Sequence, residues 1–303
     1  SSANLRDLGG LATVDGQWIR TGQLFRSGHL SELHGPEAAI LGGLGLRTSI
    51  DLRRPSEVAD FPTPDLGEVD RLWMSVSPED SEFAVAANLL FGEHPERFDT
   101  AEDSGFAVAA NLLFGEQPER VDTIEDNGFA VATNLLFGNQ PKQVDITTML
   151  EGYFRNTVTN RLDGYRPVFE AATDPDRQPL LFHCMGGKDR TGFVAGVLLR
   201  LLGVGQEEVM ADYLLTNEIL GDRMARRADQ ARQRIAQQSG VEPDQVDERH
   251  LEGVRAMLYT RPSFLQASFD AVTDKFGTWE TFRRDGLGID DARFSAFLDS
   301  LVA

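Results

Sequence analysis

The sequence has a single cysteine, Cys184, among its 303 residues. One cysteine allows no internal disulfide, leaves no second thiol to resolve an oxidised one, and argues against a cysteine-based zinc site. A lone cysteine is by default a buried and inert side chain. The neighbours of Cys184 in the sequence therefore decide whether it is reactive.

Basic residues are also few. The chain has 29 Lys and Arg against 48 Asp and Glu, which gives a formal net charge of −19. A nucleic-acid surface needs an excess of positive charge facing the phosphates, so we expect no nucleic-acid partner. A single anion can still bind in a pocket that is locally positive.

Long apolar runs are absent as well. No run approaches the roughly 20 residues of a membrane-spanning helix, and the residues after Ser1 have neither the basic start nor the apolar stretch of a secretion signal. The composition, 41% hydrophobic and 25% charged, is typical of a soluble globular protein. We expect a soluble protein and leave cytoplasmic and secreted locations open.

Short apolar runs alternate with helical periods along both flanks of the chain. LRTSIDL (46–52) and PLLFH (179–183) predict buried strands, and VDRLWMSV (69–76) is a further strand candidate. TGFVAGVLLRLLG predicts an apolar helix that stops at Gly203. QWIRTGQLFRS predicts a hairpin around Thr21-Gly22.

This alternation indicates an α/β fold. Strands that are buried along their length suit a central, mainly parallel sheet with helices on both faces. We expect about four or five strands in that sheet. The flanks and the segment between them are expected to form one domain over residues 1–303.

A decapeptide is repeated in the middle of the chain. FAVAANLLFG begins at Phe83 and Phe106, and FAVATNLLFG begins at Phe129, which gives a period of 23 residues. Each unit predicts a buried apolar helix ended by glycine and then a short acidic helix. We therefore predict an insertion of tandem helical repeats over 82–145 that pack on one another.

Acidic residues recur within these repeats, and a calcium site is one interpretation of them. Their spacing fits neither an EF-hand loop nor the nonapeptide calcium repeat, so solvated acidic helix ends are the preferred interpretation. The residues concerned are Asp99, Glu102, Asp103, Asp122, Glu125 and Asp126.

The most informative stretch is HCMGGKDRTG, residues 183–192. It joins the predicted strand PLLFH to the predicted apolar helix, and Cys184 and Arg190 lie at the two ends of its glycine-rich turn. A cysteine and an arginine at this spacing alone are a common chance match. The strand, the glycines and the helix in this order are much harder to obtain by accident.

Each part of this loop has a physical use in binding phosphate. Backbone N–H groups from Met185 to Arg190, with Gly186 and Gly187 giving the curl, can converge on a tetrahedral anion beside the positive end of a helix dipole. The same field favours the thiolate of Cys184. Arg190 can bind two phosphate oxygens with its fork. The thiolate can then attack phosphorus and form a cysteinyl-phosphate that water hydrolyses, with no metal or other cofactor required.

The loop resembles the phosphate-binding signature of the protein tyrosine phosphatase superfamily. GKDRTG narrows the resemblance to the bacterial protein tyrosine phosphatase B type, the tyrosine and phosphoinositide phosphatases with an HCxxGKDRTG loop. The resemblance implies a three-layer cysteine-phosphatase fold, covers both flanks and fails across the repeats. Further similar segments are NLRDLGG (4–10), GQLFRSGHL (22–30), GLRTSIDLRRPSE (45–57), DYLLTN (212–217) and KFGTWETFRRDGLGI (275–289).

The roles of the family's residues carry over by position. The resemblance implies Cys184 as nucleophile, Arg190 as phosphate clamp, and Thr191 as hydrogen-bond donor to the thiolate or leaving sulfur. Lys188 would add positive charge at the rim, a feature associated with acceptance of phosphoinositides as well as phosphotyrosine. The other phosphate-binding positions implied are Met185, Gly186, Gly187, Gly192 and Arg161, the last preferred over Arg166, with a solvated helix face as the alternative.

Two carboxylates are candidates for the general acid. The role requires a carboxyl group that stays protonated near neutral pH. We favour Asp189 in the loop, with Asp51 of IDLR as a supporting or alternative group. A structural pairing of Asp51 with Arg53 or Arg6 is the competing interpretation. His183 is expected to order the loop by hydrogen bonding rather than to transfer protons.

The sequence thus predicts a cysteine-dependent phosphatase acting on phosphate monoesters. Phosphotyrosine, phosphoserine or phosphothreonine, and phosphoinositides all present this group, so phosphorylated proteins or phosphoinositides are the expected partners. Two other enzyme classes are disfavoured. A sulfurtransferase would not need Arg190, Thr191 and Gly192 at the end of the loop, and an arsenate reductase would need further cysteines. A phosphate-binding module without turnover is the remaining alternative. Oligomeric state is not predicted.

The position of the repeats gives them an expected role. In the resembled family, this segment forms a helical lid over the active site. We expect 82–145 to be an expanded lid that limits access to the thiolate of Cys184. A self-packed array without catalytic role and a weak contact with membrane or acyl chains are the alternatives.

Overall fold

The computed structural model describes residues 3–31, 33, 35–77 and 146–303. The predicted repeats and their lid role lie outside these residues and stay predictions. The chain divides into two compact units, one of Ser1–Ser77, Glu151–Gly221 and Thr260–Ala303, the other of Pro78–Leu150 and Asp222–Tyr259. Compactness alone does not make a unit an independent domain, so the single-domain organisation stays a prediction.

The first unit contains a five-stranded sheet with the spatial order β1-β2-β5-β3-β4. The neighbouring pairs β2 and β5, β5 and β3, and β3 and β4 are parallel, and β1 is antiparallel to β2. The mainly parallel α/β sheet is therefore confirmed. The strands are β1 Arg6–Asp7, β2 Leu24–Ser27, β3 Thr48–Asp51, β4 Asp70–Trp73 and β5 Leu180–His183.

The two strands at the centre of the sheet are buried along their whole length. Every residue of β2 and of β5 is buried. Because successive side chains of a strand point to opposite faces, the centre of the sheet is covered on both faces. The strands predicted from LRTSIDL, VDRLWMSV and PLLFH correspond to β3, β4 and β5.

The predicted hairpin around Thr21-Gly22 is wrong. Residues after the turn form β2, which pairs with β1 and β5, whereas Trp18 pairs with Ala12 and Ile19 with Val302. The pattern of apolar residues identified extended segments on both sides of a turn. It carried no information about their partners, which lie elsewhere in the chain.

Helices make up most of the remaining described chain. The helix predicted after the glycine-rich loop is confirmed, and Gly203 follows it with φ 83°, a left-handed conformation that suits glycine. No helix within the described ranges is long and apolar enough to cross a membrane. The helices are α1 Pro36–Gly43, α2 Pro55–Asp60, α3 Ile146–Thr159, α4 Leu162–Ala172, α5 Asp189–Leu201, α6 Gln206–Ile219, α7 Gly221–Ser239, α8 Glu248–Leu258, α9 Pro262–Phe276 and α10 Asp291–Leu301.

Gly192 sets the distance between the start of α5 and helix α6. A Cβ atom at this position would lie 2.7 Å from Cε2 of Tyr213, a side chain that is fully buried. Any larger residue would have to push the tyrosine ring away. Close packing of two helices is therefore a physical reason for glycine at 192, separate from its predicted place in phosphate binding.

Candidate active site

The glycine-rich loop lies at the carboxyl end of the parallel strands. Cys184 directly follows β5, and Asp189 begins α5. The cysteine is buried. The carboxyl edge of an open α/β sheet is the usual place for a ligand site, and the dipole of α5 directs its positive end at the loop.

Side chains from distant parts of the chain hold the loop by its carbonyl groups. Asn4 donates from Nδ2 to the carbonyl oxygens of Gly186, at 3.3 Å, and Gly187, at 3.0 Å. Arg26 donates from Nη2 to the same Gly187 oxygen at 2.8 Å. Both donors therefore contact the loop through its backbone, where the loop has no side chains to offer.

A third carbonyl group is held in the same way. The N–H of His29 donates to the carbonyl oxygen of Met185 at 2.9 Å. In a trans peptide the N–H points opposite to the C=O. The N–H groups of Gly186, Gly187 and Lys188 therefore point away from the donors that hold the preceding carbonyls, and successive N–H groups presented in this way can form an anion site.

The two glycines of the loop differ in how closely neighbouring atoms approach them. Gly187 has φ 65°, and a Cβ atom there would lie 2.5 Å from the backbone nitrogen of Gly28 and 2.6 Å from the carbonyl carbon of Ser27. At Gly186 the nearest atom would be Cβ of Lys188, at an ordinary 3.8 Å. The close approach of loop and β2 thus requires glycine at 187 and only tolerates it at 186.

Arg190 is held by a carboxylate that the sequence analysis did not assign. Its Nη1 and Nη2 atoms donate to Oε2 and Oε1 of Glu57, each at 2.7 Å. Nη1 also lies 3.4 Å from the carbonyl oxygen of Leu52. This pairing uses the end of the guanidinium, and it leaves the edge formed by Nε and the second N–H of Nη2 for two oxygens of an anion.

The Arg190–Glu57 pair keeps both groups charged. Burial raises the pKa of Glu57, but the charges and hydrogen bonds of Arg190 and, to a smaller extent, Arg54 outweigh burial and lower it to about 2. For Arg190, burial lowers the pKa, and the interaction with Glu57, followed by that with Cys184, raises it well above its usual value. Both side chains are only slightly exposed, at 12% and 13%, so water screens this pair weakly.

Asp51 is engaged with Arg53. Nε and Nη2 of Arg53 donate to its two carboxylate oxygens at 2.9 and 2.7 Å, and the backbone N–H of Arg53 donates at 3.0 Å. Burial raises the pKa of Asp51, yet the hydrogen bonds from Arg53 lower it below its usual value. These contacts favour the structural interpretation of Asp51 over that of a proton donor.

His183 is completely buried beside Asp51. Its Nδ1 lies 3.8 Å from Oδ1 of that carboxylate. The hydrogen-bonding role expected for His183 stays a prediction. Burial lowers its pKa to about 4, only partly opposed by Asp51, so the ring is neutral near pH 7.

The charged residues at the start of α5 lie next to each other. Nζ of Lys188 is 3.4 Å from Oδ2 of Asp189, and both side chains are largely buried. Thr191 is fully buried, and its Oγ1 lies 3.5 Å from the carbonyl oxygen of Ser27. The hydrogen bond expected between Thr191 and the sulfur of Cys184 stays a prediction.

Of the two arginines considered upstream, Arg161 lies with the site residues. Its Cζ is 5.5 Å from the ring centroid of Tyr153, and its Nη1 is buried without a hydrogen-bond partner in the described ranges. Burial raises the pKa of Tyr153, and the charges of Arg190, Asp189 and Arg161 also act on it. Arg161 and the loop residues are therefore close to one tyrosine.

Arg166 has a different environment. It donates from Nε to the carbonyl oxygen of Gly286 at 2.7 Å and pairs with Asp163 at 3.2 Å. These contacts join α4 to the segment before α10. The preference for Arg161 over Arg166 as the site arginine is consistent with this difference.

Sequence reasoning missed the residues that support the loop. Glu57, Asn4, Arg26 and Asp212 all lie in the short segments that carry the family resemblance, RRPSE, NLRDLGG, GQLFRSGHL and DYLLTN. That coincidence was the available signal. It identified the segments, but it gave no information on which side chain in each segment reaches the loop.

We predict that His183 makes stability depend on pH. The unfolded chain binds a proton at His183 as pH falls through about 6.5, whereas the native protein binds it only near a pKa of about 4. The free energy of unfolding therefore falls as pH decreases across this window, by about 2 kcal/mol between about pH 7.5 and 5. In His183→Asn this loss should be absent.

Urea denaturation of parent and variant at both pH values measures the effect. The readout is the difference between the two pH-dependent losses, so a variant that is less stable at every pH still gives an answer. Equal losses in the parent and in His183→Asn would contradict the prediction.

Comparison with known proteins assigns the chain to a family. A family model described as "Tyrosine phosphatase family" matches residues 1–303. A Cupriavidus necator protein named as a candidate tyrosine-protein phosphatase is 31% identical, with 96% of this chain and 84% of that protein aligned. The triple specificity protein phosphatase PtpB of Mycobacterium tuberculosis is 27% identical, over 95% of this chain and 92% of that protein.

The match covers the loop, its supporting segments and the rest of the chain. The fold of the described residues is also the mainly parallel α/β arrangement expected of a phosphatase of this kind. The chain therefore belongs to the tyrosine phosphatase family and is a protein-tyrosine phosphatase, an enzyme that hydrolyses phosphate monoesters.

Proposed function

We propose that this phosphatase works through a cysteinyl-phosphate intermediate on Cys184. The observation that carries the proposal is the loop between Cys184 and Arg190, whose successive carbonyl groups are held from outside by Asn4, Arg26 and the backbone of His29. The opposed N–H groups and the free edge of Arg190 are then available for the oxygens of a phosphate monoester. Preorganised donors of this kind stabilise the charge that develops on a transferring phosphoryl group.

The first step transfers the phosphoryl group to sulfur. The thiolate of Cys184 attacks phosphorus in line with the ester oxygen, so an S–P bond forms while the P–O bond to the substrate breaks. The electron pair of that bond goes to the leaving oxygen, which takes a proton from a general acid. Arg190 holds two of the phosphoryl oxygens throughout.

The second step restores the enzyme. A water molecule attacks phosphorus and gives its proton to the carboxylate that acted as acid in the first step. The S–P bond breaks, Cys184 leaves as thiolate, and inorganic phosphate is released. No oxidant, metal or further reactant is needed for this balance.

Asp189 is proposed as the general acid. It starts the helix after the loop, whereas Asp51 is bound by Arg53 and has a lowered pKa, which makes it a poor proton donor near neutral pH. We assign Asp51 the supporting role, in which it keeps the charge of the buried Arg53 paired. Arg53 lies between the end of β3 and the start of α2, the helix that contains Glu57.

Charged residues near the loop support a proposed substrate class. Lys188 and Arg161 add positive charge near the loop, which suits a substrate with further anionic groups such as an acidic phosphopeptide or a phosphoinositide. PtpB of Mycobacterium tuberculosis is named a triple specificity phosphatase. We propose that the present chain likewise accepts phosphotyrosine, phosphoserine or phosphothreonine, and phosphoinositides.

We predict that Cys184→Ser abolishes turnover of every substrate class. Phosphate release from phosphotyrosine, phosphoserine and phosphothreonine peptides and from phosphoinositides should fall by at least about 10³-fold, since the nucleophile is lost. Acid quenching of the parent during turnover should trap one phosphoryl group on the peptide that contains Cys184. Comparable rates for the variant, or a phosphorylated residue other than Cys184, would refute the mechanism. A flat response of the parent to all lipids would remove phosphoinositides from the substrate range.

We predict that Asp189→Asn slows substrates according to their leaving group. Loss of a general acid should cost about 10² to 10⁴-fold for phenyl phosphate, whose leaving group needs a proton, and much less for para-nitrophenyl phosphate. Asp51→Asn is the matched variant, and its loss should be similar for both substrates. The opposite pattern, with leaving-group dependence in Asp51→Asn alone, would transfer the acid role to Asp51.

We predict that Glu57→Gln lowers kcat/KM by about tenfold to a hundredfold, which is about 1.4 to 2.7 kcal/mol of transition-state stabilisation. Glutamine has the same shape, but its amide group turns a donor toward one of the two Nη atoms that now donate to Glu57. Arg190 is then held less firmly. Steady-state kinetics with para-nitrophenyl phosphate measures the loss.

Asp247→Asn is the control for this substitution. Like Glu57, Asp247 binds an arginine, Arg249, with both carboxylate oxygens, and it caps a helix. It lies in the second unit and is remote in sequence from the loop. Its kcat/KM should match the parent. Unchanged kinetics in Glu57→Gln would show that Arg190 does not depend on this carboxylate.

A further inference from the structure

We propose that Arg26, together with Asn4 and Asp212, positions the phosphate loop before any substrate binds. None of these residues touches the reacting groups in this scheme. They act through the loop backbone, as positioning residues. The inference rests on the proposed function, because it concerns the loop that is proposed to bind phosphate.

The geometry of Arg26 carries the first step. Its side chain is completely buried in β2, with Nη1 2.5 Å from Oδ2 of Asp212 and Nη2 2.8 Å from the carbonyl oxygen of Gly187. One guanidinium therefore links helix α6 to the loop with two donors in a fixed fork. A lysine ammonium has a single nitrogen and cannot reproduce both directions at once.

Asp212 makes this buried cation possible. It accepts from Nε of Arg6 at 2.7 Å as well as from Arg26, and it is itself almost buried. Burial raises the pKa of Asp212, but the two arginines outweigh burial and keep it below the usual value, so Asp212 is ionised at neutral pH. The cation behind the loop is thus retained by one carboxylate that serves two arginines.

Asn4 completes the support from the N-terminal segment. Its Oδ1 accepts from Nη1 of Arg6 at 2.5 Å, which fixes the amide so that Nδ2 faces the carbonyls of Gly186 and Gly187. Asn4 has φ 59°, a left-handed conformation that asparagine tolerates better than most residues. The network from Asp212 through Arg6 to Asn4 therefore ends on the Gly187 carbonyl that Arg26 also contacts, and on that of Gly186.

The buried Arg26 side chain lowers the stability of the fold, so its presence needs a reason other than stability. Nε of Arg26 is buried and has no hydrogen-bond partner among the described residues. A buried and unsatisfied donor lowers stability, and a hydrophobic side chain of similar volume avoids that loss. The arrangement does fix the loop, and hydrogen bonding to a carbonyl also polarises the peptide and strengthens the N–H on its far side. The hydrogen bond from Arg26 to the Gly187 carbonyl thus strengthens the N–H of Lys188 as a donor to a bound anion.

The test measures phosphate binding apart from chemistry. Inorganic phosphate is titrated calorimetrically into full-length protein that carries Cys184→Ser, with and without Arg26→Lys or Asn4→Gly. Glycine suits the backbone of position 4 and removes only the amide. We expect the Kd to rise about tenfold for Arg26→Lys and about threefold for Asn4→Gly.

Arg283→Lys is the matched control. Arg283 is also buried, and it also joins one carboxylate, that of Asp291, to one backbone carbonyl, that of Ile289, yet it lies near the end of the chain. It should lose a similar amount of thermal stability and leave the Kd for phosphate unchanged. This separates positioning of the loop from general destabilisation.

The phosphate Kd of each variant is compared with that of the Cys184→Ser parent. A Kd within twofold of the Cys184→Ser parent in both Arg26→Lys and Asn4→Gly overturns the positioning role, as does an equal rise in Arg283→Lys. If Arg26→Lys does not fold, Asn4→Gly decides alone. No phosphate binding in the Cys184→Ser parent itself overturns the proposed phosphate loop, and the positioning role falls with it.

Discussion

The site depends on three buried guanidinium groups, each paired with a carboxylate. Arg26 pairs with Asp212, Arg53 with Asp51, and Arg190 with Glu57. A buried cation without such a partner would cost several kcal/mol. The three carboxylates therefore keep positive charge beside the loop, and the pKa values of all three are lowered by the arginines that they hold.

The three arginines contact different parts of the structure, so the three pairs have different roles. The Arg26 guanidinium contacts a loop carbonyl, and Arg53 contacts the residue that follows α2, at the carbonyl of Phe61. The pairing of Arg190 with Glu57 leaves the Nε edge of the guanidinium for an anion. An acidic protein with net charge −19 can in this way present a local positive field to a phosphate without an overall attraction for polyanions.

How far the sequence predicts this site depends on the separation of the interacting residues along the chain. Strand β5, helix α5 and the Cys184 loop follow from one local pattern, and the Asp51–Arg53 pair, two residues apart, was one of two interpretations considered. The Arg190–Glu57 pair spans 133 residues, and the Asn4–Gly187 contact spans 183. No periodicity or spacing encodes contacts of that range. The incorrect hairpin at Thr21-Gly22 has the same cause, since the partners of β2 are remote in sequence.

Contact through the backbone explains why the loop sequence itself could not identify its supports. Gly186 and Gly187 offer no side chains, so Asn4 and Arg26 bind their carbonyls, and a backbone carbonyl gives no sign in the sequence of which donor binds it. The loop motif therefore specifies only the reacting groups and the glycine at 187 that lets β2 approach. The carbonyls of the loop are held by Asn4, Arg26 and the backbone of His29, all remote from it in sequence. In the proposed scheme, phosphate binding therefore depends on residues outside the loop, whereas the reacting groups lie within it.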